Sequence, residues 1–273
     1  MSELTFVGKG KPNPKHIGKI MPKYGHIKNI VGVISGKGGV GKSTVTGILA
    51  STLRKKGYKV GVLDADITGP SMPRFFGVNG DRAKIEQINE NNFKYTPVVS
   101  AGGIEIMSMN LLIAKEDEPV VWRGPVVTNV LTQLFTDTKW SELDYLLIDM
   151  PPGTSDVTLT VMQSFPLDEL IVVSTPQDMV SMIVKKVINM AEKMSIPIRG
   201  VVENMSYINC PGCDKKIRVF SKKSAEEHAE YLGIPLIGEL PINPDLNEAL
   251  EKGIAEEYVV DNDLYSLIFE GLY

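Results

Sequence analysis

Nine residues constrain this chain more than any others: Gly36-Lys37-Gly38-Gly39-Val40-Gly41-Lys42-Ser43-Thr44, directly after the apolar run Ile30-Val31-Gly32-Val33-Ile34 and before a stretch with helical spacing. The pattern G-x-x-x-x-G-K-[ST] is met from Gly36 to Ser43, and the order strand, glycine-rich turn, helix is the context in which it cradles phosphate. Glycines let the backbone curl until several N–H groups face inward, and the start of the following helix adds partial positive charge at the same point. Lys42 then reaches the β- and γ-phosphates, and the Ser43 hydroxyl ligates Mg²⁺, a cation that favours hard oxygen donors. Lys37 is a second lysine directly after the first glycine. Holding phosphate within one chain does not require it.

A length of 273 residues supports one large α/β domain. Hydrophobic content of 43% and charge of 23% are ordinary for a soluble globular protein, and a net charge of −4 gives no general reason to expect nucleic acid as a partner. No apolar run reaches the roughly 18 residues of a membrane span, and the first residues lack a signal-peptide core, so a cytoplasmic enzyme away from the membrane is expected. Residues 1–28 carry Lys9, Lys11, Lys15, Lys19, Lys23 and Lys28 against the single acid Glu3. They read as a basic flexible arm, with residues 29–273 forming one domain.

After the phosphate loop, Val45, Ile48, Leu49, Thr52 and Leu53 share a helical face that ends at Arg54-Lys55-Lys56-Gly57. The buried strand Lys59-Val60-Gly61-Val62-Leu63 then runs into Asp64-Ala65-Asp66. Strands alternating with helices predict a doubly wound, mostly parallel sheet with helices on both faces, whose ligands lie beyond the carboxyl ends of the strands. Both acids therefore emerge on the phosphate side. Taken alone such acids are more often helix caps. It is this position together with the family resemblance given below that makes Asp66 the candidate for orienting or deprotonating the attacking water, and Asp64 for supporting Mg²⁺ through water. Asp149 ends the apolar strand Asp144-Tyr145-Leu146-Leu147-Ile148 and is the expected Walker B ligand of Mg²⁺. Pro151-Pro152-Gly153-Thr154 follows it, a stiff loop with a bendable end suited to sensing a γ-phosphate.

Elsewhere, residues 79–100 read as an excursion from the sheet, residues 104–109 and 119–122 as edge strands, and residues 125–135 as a helix. A strand over 170–174 leads into a long helix on which Met179, Met182, Ile183, Val187, Met190 and Met194 are read as core packing. Asn204 follows a strand over 198–202. A strand over 236–240, a helix over 245–252 and a terminal segment with Leu264, Leu267, Ile268 and Leu272 docked on the core complete the chain. No N-K-x-D guanine signature is present, which favours ATP over GTP.

Cys210-Pro211-Gly212-Cys213 is a second chemical site, within a hairpin at about 205–220. Two thiols at this spacing can grip one metal centre, form a redox disulfide or end a hairpin. Lys215, Lys216 and Arg218 stand near enough in sequence to lower the thiol pKa values. A tetrahedral zinc site or a cubane cluster needs four ligands, and these are the only two cysteines. His228 lies in a polar helical stretch and reads as a surface residue. Two copies of the chain would supply four thiolates.

The loop over residues 36–44 resembles the deviant Walker A of the MinD/ParA/nitrogenase-iron-protein class of ATPases. That resemblance implies a MinD-like P-loop fold and a homodimer in which Lys37 reaches the partner's nucleotide. Taken with Asp64-Ala65-Asp66, Gly69-Pro70-Ser71-Met72-Pro73, Trp122-Arg123-Gly124-Pro125, the segment 149–154, Thr175-Pro176-Gln177-Asp178, Glu203-Asn204-Met205-Ser206 and the cysteine pair, the chain resembles the Mrp/ApbC branch of iron-sulfur carrier and scaffold ATPases over about residues 30–255. The resemblance implies that Asn204 contacts adenine. It also implies that Cys210 and Cys213 of two subunits bridge a [4Fe-4S] cluster, with zinc as the alternative metal, and that apo iron-sulfur proteins receive the cluster. The chain departs from the pattern in having Asp214 where glycine is usual and no N-terminal cysteine group. The competing expectation is a ParA/MinD-like positioning ATPase with zinc or no metal at the cysteines.

Overall fold

The computed structural model describes residues 18–273 apart from 68, 70, 90–91, 114–123 and 214. In chain order it holds β1 (Tyr24–Ser35), α1 (Lys42–Lys55), β2 (Val60–Asp64), α2 (Met72–Phe75), β3 (Lys84–Asn89), β4 (Asn92–Thr96), β5 (Val98–Val99), β6 (Glu105–Met107) and α3 (Gly124–Thr136). Then come β7 (Lys139–Asp149), α4 (Asp156–Ser164), β8 (Glu169–Ser174), α5 (Asp178–Lys193), β9 (Ile198–Asn209), β10 (Lys216–Ile217), α6 (Ala225–Leu232), β11 (Leu236–Pro241), α7 (Pro244–Glu251), α8 (Ala255–Asp261) and α9 (Asp263–Ile268).

The main sheet runs β10-β9-β8-β1-β7-β2-β6-β5, with β11 also paired to β9. Its pairings are parallel except for β5 on β6 and β10 on β9. Successive strand residues point to opposite faces, yet every residue of β2 and every residue from Ile30 to Ser35 of β1 is buried. Both faces of the sheet are therefore covered, as the apolar runs in the sequence require of a parallel sheet. Of residues 79–100, expected to leave the sheet, β3 and β4 form a separate hairpin, whereas β5 returns to the main sheet and takes its edge beside β6. Strand register brings Val33 beside Asp149 and Asp64 beside Asp149, so the ends of β1, β2 and β7 converge on one edge.

Several expectations change. The basic arm does not extend to residue 28: Ile20 N–H donates to Ser164 O at 2.8 Å, Lys23 N–H to Thr136 O at 2.8 Å, and β1 already begins at Tyr24. Lys19 Nζ caps the last carbonyls of α4, bonding Met162 O at 3.1 Å and Gln163 O at 2.6 Å, so at least one lysine of the expected arm is a helix anchor. Residues 1–17, the expected edge strand over 119–122 and the Trp122-Arg123 pair lie outside the described residues. On α5 the buried stripe is Val184, Val187, Ile188 and Ala191, while Met182 is 66% exposed. Val187 is buried and Met190 and Met194 pack partly buried against the core as expected, while Met182 turns away from it. At the C-terminus the anchors are Tyr265, Phe269 and Leu272, and Leu267 faces water. The strand expected over 198–202 continues to Asn209, so Asn204 lies inside β9.

Gly47 marks where α1 meets α2 most closely. A Cβ there would stand 2.5–2.6 Å from three ring atoms of Phe75, whose side chain is 1% exposed and has nowhere to move. Alanine would gain about 1 kcal/mol of helix propensity and lose about 1–3 kcal/mol to overpacking. Gly47→Ala should therefore lower the urea midpoint. An unchanged or raised midpoint would show that the ring relaxes at no cost.

Candidate functional site

α1 starts after Gly41 with no side chain capping its first turn, which leaves its leading N–H groups directed at the loop 36–44. Gly39 at φ 80° and Gly41 at φ 79° hold the left-handed conformation that makes the curl, and a side chain on Gly41 would also strike Asn204 Nδ2. The loop frames a cavity of about 220 Å³ whose lining includes Lys37, Lys42, Ser43, Thr44, Asp66 and Pro152.

Asp149 is the centre of this edge. Its carboxylate is fully buried, with Lys42 Nζ 2.8 Å and Thr46 Oγ1 2.9 Å from Oδ1, and Ser43 Oγ donating to Oδ2 at 2.6 Å. Lys42 Nζ also stands 3.8 Å from Asp66 Oδ2. Hydroxyl Ser43 and carboxylate Asp149 form a hard oxygen donor pair of the kind that suits Mg²⁺. Thr46, which the motif did not single out, is the third residue of α1 held by this acid. Gly153, at φ 73°, donates its N–H to Ser35 O at 2.8 Å and so pins the Pro151-Pro152-Gly153 loop against the end of β1. Lys37 is exposed at the cavity rim.

Asp64 is buried and accepts from Ser71 N at 3.0 Å, Met72 N at 3.2 Å and Ser108 Oγ at 3.3 Å. It therefore organises the segment that follows β2. Burial, and next the charge of Asp149, push its carboxyl up to about 7, with Lys42 opposing. Asn204 Nδ2 donates to Val40 O at 2.9 Å, so it grips the phosphate loop from β9.

The cysteines close the β9–β10 turn: Cys210 N–H donates to Lys215 O at 3.1 Å and Cys213 N–H to Cys210 O at 3.3 Å. Cys210 is half-buried, Cys213 is exposed, and both are free thiols. The Gly212 N–H and then the Cys213 thiol hydrogen-bond Cys210 and hold its pKa below the ordinary value. Nearby cations do not carry that effect as expected. Lys216 Nζ is 2.9 Å from Glu239 Oε2 and 4.0 Å from the Tyr207 ring centroid, and Arg218 Nη1 is 2.7 Å from Glu239 Oε1. His228 is not a surface residue: it is 7% exposed, with Nδ1 2.6 Å from Glu203 Oε2. Burying Glu203 at the end of an apolar strand demands such a partner, and that acid was the available signal in the sequence. Among the described residues, no group of three or more His, Cys, Asp or Glu is placed to hold a metal ion.

A glycine loop on an uncapped helix start, a lysine and hydroxyl on a buried strand-end acid and a parallel sheet define a P-loop nucleoside triphosphatase of the MinD/ParA-like type. The family model "ParA: NUBPL iron-transfer P-loop NTPase" matches residues 26–269. The chain is 71% identical over 257 residues to an iron-sulfur cluster carrier protein of Clostridium perfringens, covering 93% of this chain and 90% of that one. A carrier of the same description from Methanocaldococcus jannaschii is 44% identical over 237 residues, covering 86% and 80%. Among solved structures, a nucleotide-binding protein from Archaeoglobus fulgidus in complex with ADP, with cobalt found by PIXE, superposes with a TM-score of 0.72 at 39% identity, covering 85% of this chain and 89% of that one. The cell division ATPase MinD of Pyrococcus furiosus, at 21% identity and a TM-score of 0.59 over 90% and 100% of the two chains, shares the fold. This chain belongs to the NUBPL iron-transfer P-loop NTPase family.

Asp64 makes the stability of the nucleotide-free chain depend on pH. The folded protein keeps a proton that the unfolded chain, with its carboxyl near 3.8, gives up earlier, so this stabilisation is complete below about pH 4 and is lost as pH rises through about 7. Between pH 5 and 8 the parent should lose on the order of 2 kcal/mol more than Asp64→Asn in urea unfolding. Equal losses would assign the titration to another group.

Proposed function

We propose that this chain binds ATP with Mg²⁺, hydrolyses it slowly as a homodimer, and uses the nucleotide to control carriage of a [4Fe-4S] cluster held between the cysteine pairs of two subunits and passed to apo iron-sulfur proteins. One observation carries this: a complete phosphate loop with its buried acid shares a chain with an outward-facing pair of thiols that are the only cysteines present. A cubane cluster requires four ligands, and one subunit supplies half of them.

Within each subunit the N–H groups of residues 36–44 and the Lys42 ammonium bind the β- and γ-phosphates, and Asn204, which holds the loop through Val40 O, contacts adenine. Ser43 and Asp149 would hold Mg²⁺, which would supply positive charge to the phosphate oxygens. Asp66 lines the same cavity and orients water, accepting its proton as the water oxygen bonds to the γ-phosphorus and the bond to the β–γ bridging oxygen breaks, releasing ADP and phosphate. Lys37 of each subunit serves its partner's γ-phosphate, which agrees with its exposure at the rim.

Two variants test the two halves. Cys210→Ala with Cys213→Ala should abolish retention of iron and sulfide after anaerobic reconstitution while ATP still binds. Stoichiometric iron and sulfide in that variant, or zinc as the only metal retained by the parent, would refute cluster carriage. Lys37→Ala should keep ATP affinity and lose about 100-fold in kcat. Full turnover in that variant would remove the lysine from catalysis.

A further inference from the structure

Among the described strands, β9 is the one that reaches both sites. Asn204 on it holds the phosphate loop through Val40 O, and six residues later the same strand delivers Cys210. Between them its pairing with β11 slips. Glu203 stands opposite Glu239 and Tyr207 opposite Pro241, so residues 204–206 of β9 face a single residue of β11. Met205 sits in this bulge at φ 56°, a left-handed conformation that costs a side-chain-bearing residue free energy. The bulge re-aims its neighbours. Asn204 turns to the phosphate loop, and Ser206 comes to the side of Glu203, with its Oγ 2.6 Å from Glu203 Oε1 and 2.7 Å from Glu239 Oε1.

One hydroxyl proton cannot satisfy two carboxylates. The balance comes from the cysteine hairpin. Arg218 Nη1 lies 2.7 Å from Glu239 Oε1, 3.0 Å from Ser206 Oγ and 4.0 Å from Glu203 Oε1, while Lys216 Nζ is 2.9 Å from Glu239 Oε2. His228 Nδ1, on α6, closes the other side of Glu203 at 2.6 Å. Among the described residues, little else beyond Lys216 over the Tyr207 ring fastens the hairpin to the sheet. Its ladder is two residue pairs long, and Ile208, Ile217, Val219 and Phe220 are 36–50% exposed, so apolar burial contributes weakly there.

We propose that Arg218 is a positioning residue for the cysteine pair, transmitting the state of the phosphate loop to the thiols through Glu239, Ser206 and the β9 bulge; this rests on the nucleotide-controlled carriage proposed above. When nucleotide draws Asn204 away from Val40, the bulge re-forms around Met205, Ser206 shifts, and Arg218 moves the hairpin with it.

The test uses the full chain without cluster and follows iodoacetamide alkylation of Cys210 and Cys213 by mass spectrometry, with and without Mg²⁺ and a non-hydrolysable ATP analogue. Bound analogue should slow alkylation in the parent about fivefold. In Arg218→Met and in Glu239→Gln the ratio should fall to about one while analogue affinity stays within about twofold, and Arg218→Lys should recover part of it. Glu239→Gln keeps the size and shape of the side chain and decides the matter if Arg218→Met does not fold. A parent whose thiols ignore the analogue, or variants that keep the parent's ratio, would overturn the proposal. Alkylation requires no cluster, so failure of cluster carriage shows separately, as a parent that retains no iron and sulfide.

Discussion

Lys42 and Asp149 meet 2.8 Å apart where water scarcely reaches, and the geometry of the phosphate site follows from satisfying that pair. Two ions removed from water cost several kcal/mol each unless the remaining lone pairs and protons find partners. Ser43 and Thr46 supply them from the first turns of α1, so one carboxylate at the end of β7 fixes how the helix leaves the loop. The solution has a consequence next door. Asp64 lies opposite Asp149 in the sheet register, and one ammonium cannot neutralise both, which is why the second acid takes up protons near pH 7. Phosphate entering the loop would compete for Lys42 and leave Asp149 in need of another cation. The Mg²⁺ proposed for Ser43 and Asp149 would answer that need.

The same electrostatic reasoning holds at the far end of β9, with the signs arranged differently. Here two carboxylates, Glu203 and Glu239, approach one serine, and the cations come from the loop that carries the thiols. Burial would raise the Glu239 pKa, but hydrogen bonds from Lys216 and Ser206 and the charges of Lys216 and Arg218 outweigh it and hold it below the ordinary value. The acids thus remain on the sheet as fixed points. The hairpin, with two residue pairs and little buried apolar surface, is the part free to respond.

What could be read from the sequence was what local chemistry dictates. The phosphate loop is contiguous and its glycines have no substitute, and strands buried on both faces write themselves as apolar runs ending in acids. Residues whose meaning is set by distant partners were less legible. His228 sits in a segment whose neighbours are charged, yet the capping box of Ser224 and Glu227 turns it inward to Glu203, 25 residues away. Lys216 and Arg218 look like cations for the nearby thiols until β11 brings Glu239 between them. Met182 has core chemistry, but the helix rotates by the demands of Val184, Val187, Ile188 and Ala191, whose stiff or small side chains pack the sheet face more closely. Lys19 serves carbonyls of a helix 143 residues along, a contact no local pattern encodes.

The fold alone does not separate this chain from relatives such as MinD, which share the sheet at 21% identity. Function lies in what is attached to the sheet, and where. The cysteine hairpin grows from the end of the strand that touches the phosphate loop, and the site of attachment matters more than the presence of two thiols. A pair of cysteines on β5, at the opposite edge, would bind a metal equally well and learn nothing of the nucleotide. On β9, any change that nucleotide imposes on Asn204 has six residues to travel, along a strand already bent at Met205, before it meets the ligands of the proposed cluster.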